Sequence, residues 1–148
     1  MATGTRSTQR PSPGPRGALR AASDQHPLAG PALVAICLIH LGCTPLFYGT
    51  GLDAIVDDGI FNAVDGGSAE RTSTFWYVVT GLGLAPLGFL VWWVERQVGR
   101  VPVTVGWLLL AFVALTVFLM PASGFWLFLF PAAVVLVRAR AGASATRE

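Results

Sequence analysis

The chain has 148 residues, of which 53% are apolar and only 12% charged, and its mean hydropathy is +0.61. A soluble domain carries about a quarter charged residues, so the composition excludes an ordinary water-soluble globule and points to a membrane protein. The net charge is only +2 and all ten basic residues are arginine, which together with the abundance of Ala, Gly and Val suggests a GC-rich bacterial genome.

Residues 1–29 are rich in Pro, Gly, Ser and Arg. Such a segment buries too little surface to offset its ordering entropy, and a disordered cytoplasmic tail is expected. The apolar run that follows is long for a signal peptide, and Thr44-Pro45-Leu46-Phe47-Tyr48 makes a poor cleavage site. An uncleaved first helix over about 30–48 is therefore expected, long enough to cross a hydrocarbon core of about 30 Å.

In the next stretch Leu52, Ile55, Val56, Ile60 and Ala63 recur at helical spacing, while Asp53, Asp57, Asp58 and Asn62 fall on the other arc and Phe61 breaks the pattern. The pattern is too short and too charged to span, and predicts an interfacial helix over about 52–64. A second membrane helix is expected over about 74–94, opened by Phe75-Trp76-Tyr77 and closed by Trp92-Trp93, an aromatic belt at each interface. Residues 95–100 read as a polar turn, 101–120 as a third helix and 124–137 as a short fourth, followed by a polar tail over 139–148. The fold class is thus an all-α bundle of four transmembrane helices with a short interfacial helix after the first.

Nine of the ten arginines lie in the N-terminal tail, the 95–100 turn and the C-terminal tail. The loop between the first two helices carries only Arg71, against Asp53, Asp57, Asp58, Asp65 and Glu70. By the positive-inside rule both termini are cytoplasmic in a bacterial inner (plasma) membrane, with the acidic segment outside. The arginines of the tail are explained by this topology and by anionic inner-leaflet lipid, and no nucleic-acid partner is implied.

His40 is the ionisable residue deep in the first apolar run, and an intramembrane ionisable group is a functional candidate. Its N–H needs an acceptor, with Thr80, Thr116 or a carbonyl freed by a proline as candidates; packing between helices competes with a ligand or proton role. Cys37, His40 and Cys43 diverge around the helix axis, so they do not converge on a metal, and the two cysteines cannot bridge without unwinding the helix. Asp57-Asp58-Gly59 with Asn62 is the densest polar cluster, open to a cation or headgroup role or to plain solvation. Pro86 and Pro131 free the carbonyls of Leu82 and Leu127. Gly81, Ala85 and Gly88 form a small-residue stripe for close helix packing, within the chain or in a homodimer.

The stretch HLGCTPLFYGTGLDAIVDDGIFNAV, the Phe75-Trp76 start of the second helix and the turn Met120-Pro121-Ala122-Ser123-Gly124-Phe125-Trp126 resemble a family of small bacterial four-helix membrane proteins of unknown function. The likeness covers about Ala32–Val137. It implies the four-helix architecture and marks His40, Asp57-Asp58-Gly59 and the turn with Ser123 and Trp126 as recurring features, and it supplies no activity.

Three functions follow in order of preference. The first is a binding or interaction protein for a lipid-like molecule or partner helix. Its outer vestibule would be built from 52–65 and the 121–126 turn, with His40, Asp57, Asp58, Asn62, Trp76, Ser123 and Trp126 as candidate contacts. The second is a small oligomeric transporter, although no carboxylate is expected inside any membrane helix. A membrane enzyme ranks lowest, since there is no paired His or Glu-His signature, nucleophile motif or phosphate loop. No cofactor is implied.

Overall fold

The computed structural model describes residues 26–145. Most of the expected N-terminal tail, 1–25, and the last three residues of the C-terminal one lie outside the described residues. The described chain is all-helical: α1 Ala29–Gly42, α2 Thr44–Asp57, α3 Ala69–Val98, α4 Val103–Leu119, a 3-10 segment Gly124–Phe128, and α5 Leu129–Ala145. Helix α3, and the 3-10 segment taken with α5 to Gly142, are each long and apolar enough to cross a membrane; α1 and α2 together make a third such unit, bent by 50°. Helix α4 is apolar throughout but has 17 residues.

The helix ends differ from expectation for local reasons. The first apolar run does not reach Tyr48 as one rod. It breaks at Cys43, Pro45 takes the first turn of α2, where no N–H is needed, and the backbone leaves helical geometry again at Tyr48 (φ −134°, ψ 24°). The helix expected over 52–64 accordingly starts at Thr44 and stops at Asp57. Residues 58–64 are not helical, because Gly59, Ile60 and Asn62 all adopt positive φ. Helix α3 begins five residues earlier than expected, at Ala69, with Ser68 as N-cap accepting the Arg71 N–H at 3.4 Å. It also continues through the expected 95–100 turn to Val98 and ends on the left-handed Gly99 (φ 74°). Helix α5 likewise runs on past Val137 to Ala145, and the buried Pro131 sits in its first turn.

Two antiparallel pairs, α1 with α3 and α4 with α5, meet through α1 and α5. The core between them contains Leu33, Val91, Val113, Phe128 and Val135. It is extended by edge-to-face contacts of Phe112 with Phe125 (5.5 Å) and Phe128 (5.6 Å). Around it the outer surface is apolar: Leu46, Phe47, Leu82, Leu90, Leu108 and Phe118 are all exposed.

The tightest seam is on α3, where Thr74, Gly81, Gly88 and Glu95 recur every seven residues and are all buried. The glycines among them let backbones approach closely. A Cβ on Gly88 would come within 3.0 Å of the Val34 nitrogen, and one on Gly81 within 2.6 Å of Leu41 Cδ2. Across the seam, Gly30 leaves no room for a side chain beside the Trp92 backbone, nor Gly51 beside Thr74. Gly81 and Gly88 thus serve packing within the chain, and Ala85 is half-buried.

Candidate functional site

At the acidic end, α2, bent by 50° from α1, packs against the start of α3 and leaves an open cleft of about 760 Å³. Leu52 and Ile55 of α2, Ile60 and Ala63 of the following loop, and Phe75, Trp76 and Val78 of α3 make it apolar; Asn62, Asp65, Thr72 and Thr74 add polar groups. The loop is fixed by Arg71, whose Nη1 pairs with Asp58 and donates to the Ala63 carbonyl at 3.2 Å. Thr74 is fully buried at the floor, its hydroxyl donating to the Glu70 carbonyl at 2.9 Å. The mouth is wide: Ile60 is 68% and Trp76 61% exposed.

The predicted contacts separate. Asn62 and Trp76 line this cleft. Asp58 flanks it but is engaged by Arg71, and Asp57 ends α2 as an exposed residue. No residue of the 121–126 turn contributes. Trp126 instead closes that turn on itself, its Nε1–H donating to the Pro121 carbonyl at 2.9 Å, and the buried Ser123 hydroxyl has no partner among the described residues.

His40 belongs to a separate cluster at the α1–α2 bend. Its ring stacks on Tyr77 at 3.8 Å between centroids, and Tyr48 lies against the other ring at 4.6 Å. His40 Nε2 lies 3.0 Å from the Tyr77 carbonyl; a carbonyl only accepts, so Nε2 carries the proton and Nδ1 is the basic nitrogen. None of the expected acceptors serves: Thr80 and Thr116 donate to the carbonyls of Trp76 and Phe112 on their own helices, and no proline frees Tyr77.

The group that sequence reasoning missed lies at the other end. Glu95, 6% exposed, is inside α3, where the sequence reads as a polar turn. It accepts the amides of Leu28 (3.3 Å), Ala29 (3.1 Å) and Gly30 (2.8 Å), which open α1. A carboxylate at a helix N-terminus meets both the unpaired amides and the positive end of the dipole. Arg138 of α5 completes the arrangement, with Nη1 at 3.5 Å from Glu95 Oε1 and Nη2 donating to the His26 carbonyl at 2.9 Å. The signal for it was the seven-residue series from Thr74, which hydropathy does not register.

A protein-family model, described as a family of unknown function (DUF6463), matches residues 24–142. Comparisons with curated proteins and with solved structures gave no match.

Proposed function

We propose that the chain, which belongs to the DUF6463 family of unknown function, is a membrane protein that holds a lipid-like molecule in the cleft between α2 and the start of α3. The bent α1–α2 pair, α3, α4 and α5 make four membrane-embedded units, with the arginine-rich end in the cytoplasm of a bacterial cell and the acidic end outside. At about 26 Å, α4 is slightly short of the hydrocarbon core and needs only local thinning or loop adjustment. The exposed apolar surface supports this placement, since it would be a large liability in water.

The observation that carries the ligand reading is the character of the cleft. Its apolar walls and rim of Asn62, Asp65 and Thr72 lie beside the Phe75-Trp76 aromatic pair, which suits the membrane–water boundary. An amphipathic molecule matches both surfaces, whereas a small hydrophilic solute would leave the aromatic wall unmet. The transporter alternative has less support. Cation coupling needs an exchangeable ionisable group, and Glu95 is committed to three amides and Arg138.

Orientation is tested by labelling whole cells with an impermeant maleimide, in a chain whose Cys37 and Cys43 are replaced by alanine. Asn62→Cys should label directly and Arg96→Cys only after permeabilisation; the reverse pattern overturns the topology. For the ligand, native mass spectrometry of the full chain should find a reproducible adduct that Trp76→Ala loses and His40→Ala keeps. A bare mass, or a spectrum in which no adduct depends on Trp76, sinks the proposal.

A further inference from the structure

A second cleft, of about 530 Å³, opens at the arginine-rich end between the α3–α4 turn and α5. Val94, Val98, Val101 and Val103 give it apolar walls, and Arg100 and Arg138 line it with positive charge. The two arginines differ in state. Arg138 is oriented by Glu95 and the His26 carbonyl, and that carboxylate offsets part of its charge. The exposed Arg100 guanidinium has no acceptor among the described residues. Helix α4 also starts on this cleft, at Val103 after Pro102, without a side-chain cap, which adds the positive end of its dipole to the same edge.

We propose that this cleft seats an anionic phospholipid, with its phosphate on Arg100 and Arg138 and the first part of an acyl chain along the valines. Charge complementarity selects an anion, and guanidinium groups bind phosphate through paired N–H donors. The valine walls select a lipid over a free phosphate. Val98 and Val103 are exposed, and an inorganic ion would leave them so. Basic pockets between helix ends at the inner face of a membrane are suited to such headgroups. The inference rests on the membrane placement proposed above and is independent of what occupies the other cleft.

The test is a titration of the full chain, purified in neutral detergent, with phosphatidylglycerol, phosphatidylcholine and inorganic phosphate, read by native mass spectrometry. Phosphatidylglycerol should be retained in preference to phosphatidylcholine. Arg100→Gln should weaken that retention about tenfold, the loss of one charge-assisted contact, with an unchanged melting temperature. Arg96→Gln, outside the cleft, should leave it unaltered. Equal retention of the two lipids, or full retention in Arg100→Gln, overturns the proposal. So does displacement by inorganic phosphate at matching concentration, which would mark a site for a soluble anion, or an equal loss in Arg96→Gln, which would mark diffuse charge attraction. Because the titration is done in detergent it does not read orientation, and the labelling experiment tests that placement separately.

Discussion

Glu95 Oε2 accepts the Gly30 amide at 2.8 Å, so a residue near the end of α3 caps the start of α1. Glu95→Ala removes the acceptor for three amides and leaves Arg138 facing uncompensated groups. The expected loss is about 3 kcal/mol in unfolding free energy, read by thermal or detergent-induced unfolding. Glu95→Gln, which keeps one acceptor oxygen, should lose distinctly less. An alanine variant as stable as the parent would remove the cap from the account of how α1 is held.

The glycines of the α1–α3 seam should separate sharply from those on open surface. Gly30→Val must push α1 away from the Trp92 backbone and is expected to abolish the folded state or cost at least about 3 kcal/mol. Gly83, on the same helix as Trp92, faces open space, so Gly83→Ala should stay within about 1 kcal/mol of the parent or improve on it. Thermal melts of the pair in one detergent make the comparison direct.

His40→Ala removes a ring stack and one hydrogen bond, which together are worth about 1–2 kcal/mol. His40→Phe should recover the stacking part alone. Neither change should alter the adduct held beside Trp76, and a loss of that adduct in both variants would tie the histidine to the ligand instead.

Ile60 holds φ at 68°, a region that a β-branched residue enters only at a cost. Ile60→Gly should therefore raise stability by about 1 kcal/mol while weakening the adduct, since it strips apolar surface from the cleft wall. A variant that gains stability and keeps full binding would show that the side chain is not a contact.

The sequence disclosed the helical class and the approximate centres of α3, α4 and α5, because long uncharged runs are legible from hydropathy alone. Helix ends were less legible. Glu95 and Arg96 read as a polar turn, although Glu95 is a buried cap whose partners lie far away in sequence. Ser68 and Glu70, a good N-terminal signal, were overshadowed by the aromatic cluster that follows them. The 58–64 segment kept helical spacing on paper, yet Gly59 ends the helix and the next residues turn left-handed. Of the candidate contacts, Asn62 and Trp76 came together because the loop after α2 lies beside the start of α3. Trp126 did not join them, for its indole finds an acceptor five residues away. The seam itself was partly visible, as Gly81 and Gly88; Glu95, at the same interval, carries no small-residue signature.

The amides at the start of α1 are met by a carboxylate some 65 positions further along the chain. During synthesis α1 therefore leaves the ribosome before its acceptor exists, and its leading amides lack that carboxylate until α3 has been made. The α1–α3 hairpin can close only then, with Arg138 of α5 arriving last to sit against Glu95 and His26. Assembly is thereby ordered from the second-made rod back onto the first, and a chain interrupted before Glu95 would present an open helix terminus to quality control.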